Sequence, residues 1–176
     1  MGPSSKPSGT DRSKPILTLV DYEATRHVLA ALERHEVQYA VVGAAALNLH
    51  GLARFTEDLD LFIAPARENI ERLKLALHDV FDDPHLDEIS ADDLLGDYPA
   101  VQYVPPTGAF RLDLLTRLGD AFSFADLEVE RVPFDELTVS VASPRTLYLM
   151  KRDTVRLKDR ADAEMLRQRF DVGEPD

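Results

Sequence analysis

The chain has 176 residues, 44% of them hydrophobic, which is enough to bury a sizeable core and too apolar for wholesale disorder. It contains no cysteine, which excludes disulfides, thiolate nucleophiles and cysteine–zinc sites. A net charge of −12 argues against a general nucleic-acid coat protein, because binding along a phosphate backbone runs on lysine and arginine.

Residues 1–15 carry three prolines, two glycines and four serines and read as a flexible tail, which leaves residues 16–176 as one domain. No apolar run approaches the ~18 residues that span a bilayer, and the N-terminus lacks the apolar centre of a secretory signal. A cytoplasmic protein with no membrane partner is therefore expected. "DYEATRHVLAALERHEV" has helical spacing of apolar residues with Asp21 as N-cap. "QYAVVG" is a short strand ending in Gly43, and "AAALNLHG" is a compact helix closed by Gly51. "LDLFIA" is a second strand stopped by Pro65. "RENIERLKLALHDVF" is an amphipathic helix with Ile70, Leu73, Leu77 and Val80 on one side.

From Asp79 to Asp97 there are eight acidic residues and no lysine or arginine, a stretch expected to be loop with a helical turn. "AVQYV" and "AFRLDLLT" then form two strands around "PPTG". "LTVSVAS" is a further strand, and Pro144 opens one long helix that runs to Phe170. The mixed order predicts an α/β (α+β) domain, a small mixed sheet flanked by helices.

The residues that carry chemistry are carboxylates inside strands. Alternation puts Asp58 and Asp60 on one face of their strand and Leu59, Leu61 and Ile63 on the other. The same alternation in "FRLDLL" puts Arg111 and Asp113 on one face. If the two strands are neighbours, three carboxylates converge. Such hard oxygen ligands suit Mg2+ or Mn2+, which often share substrate phosphates. Taken alone, Asp-x-Asp equally marks a strand that starts at a solvated sheet end. The preceding segment raises the odds, since Gly43 follows a strand and opens a helix, where backbone N–H groups can approach a phosphate.

This conjunction resembles the nucleotidyltransferase superfamily with the polymerase-β-like fold. Its mark is an apolar strand, Gly-Ser or Gly-Gly, a short helix, Asp-x-Asp on the next strand and a later third carboxylate. Here these are "VVGA", thirteen residues, "DLDL", and Asp113 in "RLDLL". Within the superfamily, "GAAALNLHGLARFTEDLDL" looks most like the small bacterial AbiEii-type toxins, with Arg54, Thr56, Asp58 and Asp60 at the pattern's positions. "MKRDTVRLKDRADAEML" resembles the family's later motif, a helical lysine followed by R-x-K-D-x-x-D. The resemblance runs from Val41 to Leu166. Ala44 departs from the usual second Gly or Ser, which removes a hydroxyl contact but leaves the backbone amide.

The resemblance implies an Mg2+-dependent (or Mn2+-dependent) transfer of a nucleotide from NTP to a hydroxyl acceptor. Asp58, Asp60 and Asp113 would hold the metal, with Asp113 also taking the acceptor's proton. Gly43 and Ala44 would cradle the triphosphate, Lys151 would add charge, and Arg54, Thr56, Lys158 and Asp159 would complete the nucleotide site. The acceptor would be an RNA end, a protein or a small molecule, and a cognate antitoxin would be the protein partner.

On one continuous helix Lys158 and Asp162 would each lie within about 20° of Lys151. Lys158 then reads either as a triphosphate contact or as an i, i+4 ion pair with Asp162. Arg54 reads first as a residue that orients the loop before the metal strand, and Thr56 as a cap or turn residue. His50 has no partner at ligand spacing. Two other classes compete with an enzyme: a non-catalytic nucleotide- or partner-binding member of the same fold, and an interaction protein whose surface is the acidic stretch.

Overall fold

The computed structural model describes residues 21–106, 108 and 110–173, and the tail expected over residues 1–15 lies outside them. Helix α1, Tyr22–Arg34, begins where the Asp21 carboxylate accepts the Ala24 N–H at 2.8 Å, the expected cap, and buries Val28, Leu29 and Leu32. Strand β1, Tyr39–Val42, is wholly buried and runs straight into α2, Gly43–Leu49. Gly51 closes that helix at φ +86°. The Leu52 N–H reaches Leu47 O and the Gly51 N–H reaches Asn48 O, both at 2.9 Å, which together satisfy the last carbonyls of the helix.

Strand β2 is Asp58–Ile63, and α3, Arg67–His78, buries Ile70, Leu73 and Leu77 as the periodicity requires. The acidic stretch forms a 3-10 turn, Pro84–Glu88, and the short helix α4, Ala91–Leu95. Its charge is not bare. Asp79 pairs with Arg34 and His35, Asp87 with His78, and Asp92 with Arg67. Strands β3, Ala100–Tyr103, and β4, Arg111–Leu115, follow, then a small hairpin of β5, Arg117–Leu118, and β6, Phe122–Ser123. Strands β7, Val129–Phe134, and β8, Leu137–Ala142, lead to helices α5, Pro144–Arg152, and α6, Leu157–Phe170.

Six strands make one mixed sheet in the order β3-β4-β2-β1-β8-β7. β2 runs parallel to β4, and β1 runs parallel to β8; the other neighbours are antiparallel. α1 packs on α3, α2 packs on β1, β2 and β8, and α5 packs on α6. Among the described residues no helix is long and apolar enough to cross a membrane.

Two features depart from expectation. β5, β6 and β7 have no apolar alternation to reveal them. β7 is the outer strand, mostly exposed, and it tolerates Pro133 because an edge strand can spare a ladder donor. The long helix expected from Pro144 to Phe170 is two helices, broken over residues 153–156. Thr154 turns its hydroxyl back to Lys151 O at 3.3 Å and to Asp159 Oδ2 at 3.2 Å, so side-chain bonds replace the helical ladder there. The shared helical face expected for Lys151, Lys158 and Asp162 therefore does not exist.

Asn69, fully buried, joins α3 to the sheet. It accepts the Gln38 N–H at 2.7 Å and donates to Gln38 O at 2.9 Å and Ala64 O at 3.0 Å. Removing it strands backbone groups that water cannot reach. Asn69→Ala should therefore cost about 2–4 kcal/mol in urea unfolding. A loss under ~0.5 kcal/mol, the range of ordinary surface substitutions, would contradict this role.

Candidate active site

The parallel register sets Asp58 opposite Arg111 and Asp60 opposite Asp113, while the antiparallel register of β3 sets Gln102 opposite Asp113. Opposed residues share a face, so one face of the sheet carries all five polar groups. Its reverse carries Leu59, Leu61, Leu112 and Leu114, each fully buried. A slip of one residue would expose those leucines and bury the carboxylates, so the core fixes where the carboxylates stand.

Each outer carboxylate has a partner on a neighbouring strand. Arg111 Nε stands 2.6 Å from Asp58 Oδ1, with its Nη2 3.0 Å from Glu57 Oε2. Gln102 Nε2 donates to Asp113 Oδ1 at 2.8 Å. Asp60, between them, lies against Asp113. Burial first, then the charges of Asp113 and Asp58 and a hydrogen bond shared with Asp113, push its carboxyl from 3.8 up to about 7; Lys151 pulls the other way. With Asp58 turned to Arg111, no three His, Cys, Asp or Glu side chains among the described residues stand grouped to hold a metal ion.

Gly43 roofs Asp60. It has φ +66°, and a Cβ placed there would lie 2.2 Å from Asp60 Oδ2 and 2.9 Å from its Cγ. Both the dihedral and the close approach require glycine. The Ala44 position has no such constraint, and Ala44 lines the same cleft.

The opposite wall is a cluster of charges. Lys151 Nζ lies 3.0 Å from Asp159 Oδ1 and 2.9 Å from Asp162 Oδ2, and Arg54 Nε lies 2.6 Å from Asp162 Oδ1. Asp162 is almost fully buried, so its charge depends on these two cations. The i, i+4 pair of Lys158 with Asp162 gives way to this arrangement. Lys158 is exposed at the cleft's rim beside Arg156. Thr56 bonds locally, its hydroxyl donating to Asp58 O at 3.0 Å and accepting the Asp58 N–H at 3.2 Å. His50 sits on the backbone, 2.9 Å from Ala142 O.

These groups line one cleft of about 440 Å³ that holds Gly43, Arg54, Thr56, Asp58, Asp60, Asp113, Lys151, Lys158 and Asp159 together. A hollow of about 510 Å³ lies at the edge of β3, beside Asp83, His85 and Tyr103. Three of its polar groups pair with one another: Asp83 receives the Tyr103 hydroxyl at 2.9 Å and stands 2.8 Å from His85 Nδ1. Tyr103 also packs its ring against Phe81, as a core residue does.

Asn48 and Gln102 escaped sequence reasoning at the site, and Arg111 was placed on the carboxylate face without a role. Asn48 is buried and exchanges both amide bonds with the Arg54 backbone, Nδ2 to Arg54 O at 2.7 Å and Arg54 N to Oδ1 at 2.8 Å. It thereby fixes the loop that presents Arg54 and Thr56. Its signal was a lone amide in an otherwise apolar helix. Gln102 and Arg111 show themselves only once strand partners are known, although Arg111 shares the alternation of Asp113.

The sheet order, the carboxylate face and the glycine roof define a nucleotidyltransferase-fold protein. A family model described as "Nucleotidyl transferase AbiEii toxin, Type IV TA system" matches residues 27–173, and the chain belongs to that family. No curated protein sequence matches the chain. Solved structures resemble it in fold. The lincosamide antibiotic adenylyltransferase LnuA, lincomycin-bound, is 14% identical at TM-score 0.55, covering 88% of this chain and 99% of its own. ANT(2")-Ia in complex with adenylyl-2"-tobramycin is 13% identical at TM-score 0.53, covering 87% and 91%. An antigenic nucleotidyltransferase-like protein from Paracoccidioides brasiliensis is 20% identical at TM-score 0.51, covering 81% and 74%.

The raised carboxyl of Asp60 has a measurable consequence in metal-free protein. Its folded value of about 7 exceeds its ordinary 3.8, so the native state holds more protons than the unfolded chain between them. Stability is therefore highest below pH ~4 for this group and falls as pH rises to ~7. Asp60→Asn should abolish that fall and exceed the wild type at pH 8 by on the order of 2 kcal/mol in chelator-treated samples. Equal pH profiles of the two proteins would show that Asp60 carries no such strain.

Proposed function

We propose that this chain is a divalent-metal-dependent nucleotidyltransferase that moves a nucleoside monophosphate from NTP to a hydroxyl acceptor and releases pyrophosphate. The observation that carries the reading is the register that sets Asp60 beside Asp113, under Gly43 and across a cleft from Lys151. The donor set fits a hard cation: carboxylate oxygens, with burial first and then the charges of Asp113 and Asp58 raising the Asp60 carboxyl. Asp58, Asp60 and Asp113 would hold Mg2+ or Mn2+, which would neutralise phosphate charge and polarise the α-phosphate.

The remaining work falls to the chain. Gly43 lets the backbone approach the triphosphate without a side chain between, and the Ala44 amide stands beside it. An ammonium has three donors; Asp159 and Asp162 take two from Lys151, which leaves one for a phosphate oxygen. Arg54, Thr56 and Lys158 line the same pocket, and Asp159 holds Lys151 in place. Asp113, its Oδ1 fixed by Gln102, accepts the proton of the attacking hydroxyl at Oδ2. The acceptor oxygen bonds to the α-phosphorus as the bond to the pyrophosphate oxygen breaks.

The family's description, a toxin of a toxin–antitoxin system, supports a toxin role with a cognate antitoxin; with it we propose an RNA end or a protein as acceptor and the cytoplasm as the place of action. The adenylyl-tobramycin complex of ANT(2")-Ia supports a small hydroxylated acceptor. The test is incubation with each radiolabelled NTP and Mg2+, with and without total cellular RNA, beside Asp58→Ala. Label should move to an acceptor in the wild type, with activity reduced at least ~100-fold in the variant. NTP retained without turnover would mark a binding-only member, and neither binding nor transfer would refute the proposal.

A further inference from the structure

We propose that Arg111 is a resident counter-ion for Asp58, one that shifts onto Glu57 when a divalent cation enters the carboxylate site. The inference rests on the metal reading above. Its ground is a pairing built into the sheet. Register puts Arg111 directly opposite Asp58, and its guanidinium bridges two carboxylates, Asp58 Oδ1 at 2.6 Å and Glu57 Oε2 at 3.0 Å.

The two seats differ. The Asp58 side chain is 33% exposed and faces the cleft, while that of Glu57 is 50% exposed and lies outside it. The Arg111 side chain is itself 38% exposed, so the guanidinium can move without disturbing the core. A cation that arrives at Asp60 and Asp113 competes for the Asp58 carboxylate with Arg111, which already holds its Oδ1. Glu57 offers the displaced guanidinium an anion it already touches. The move gives up the Asp58 bond and keeps the Glu57 bond, so the arginine is never left unpaired. Arg111 also offsets one of the three carboxylate charges.

A partner that merely orients a ligand gives the opposite prediction, because losing it commonly weakens metal affinity 10–100-fold. Mn2+ titration of the full chain, read by the electron paramagnetic resonance of free Mn2+, separates the two without any catalysis. Arg111→Gln should bind Mn2+ about 10-fold more tightly than the wild type, against a smaller gain in Lys158→Gln, which removes equal charge from the same cleft. Arg111→Lys keeps the charge but cannot span both seats, so it too should bind more tightly, and it serves if the glutamine variant misfolds. Glu57→Gln should weaken binding in the wild type by more than in the Arg111→Gln background.

Unchanged or weaker Mn2+ affinity in both Arg111 variants, with binding still lost in Asp60→Asn, would overturn this proposal and leave the metal site standing. Equal effects of Glu57→Gln in the two backgrounds would overturn the shift onto Glu57. No Mn2+ binding by any of these proteins would overturn the metal reading together with the proposal.

Discussion

The structure turns on one constraint, the parallel pairing of β2 with β4. Leucines on the buried face fix the register, and that register forces Asp60 and Asp113 into contact on the other. Two carboxylates side by side repel, and a fold selected for stability alone would place them apart. Here the apolar contacts of Leu59, Leu61, Leu112 and Leu114 are tied to the position of the carboxylates, so the repulsion cannot relax by slipping the strands. Burial first, and this repulsion second, raise the carboxyl of Asp60. A bound cation would relieve the repulsion.

The helical wall solves a different problem. Lys151 and Arg54 must present positive charge to a cleft in a protein of net charge −12. Asp159 and Asp162 hold these cations with short contacts while buried or nearly so. Such pairs add little net stability because desolvation offsets the attraction, but they hold long side chains in one orientation. The break between α5 and α6 is what allows it, since a continuous helix would carry Asp162 three turns away from Lys151.

Much of this was legible in the sequence for physical reasons. Alternation identified both carboxylate strands; Gly43 was expected to let the backbone approach a phosphate, and the side chain the structure sets against it is that of Asp60. The Asp21 cap and the Gly51 terminus follow from local chemistry that tertiary contacts did not override. The misses are equally physical. β7 is polar because it is an outer strand, so no periodicity marks it. The helix break depends on Thr154 bonding to Asp159, a contact made only once the chain has folded back. Arg111, Gln102 and Asn48 act through partners that no spacing reveals: a strand neighbour for the first two, and a loop backbone for the third.

The central claim is that the carboxylate face is a cation site shared with a nucleoside triphosphate. Its most direct test is a crystal structure with Mn2+ and a non-hydrolysable NTP, read by manganese anomalous scattering. The account predicts a manganese peak between Asp60 and Asp113, with the triphosphate running beneath Gly43 toward Lys151. Nucleotide bound with no metal at those carboxylates, or metal and nucleotide together at the hollow beside Asp83 and His85, would contradict it.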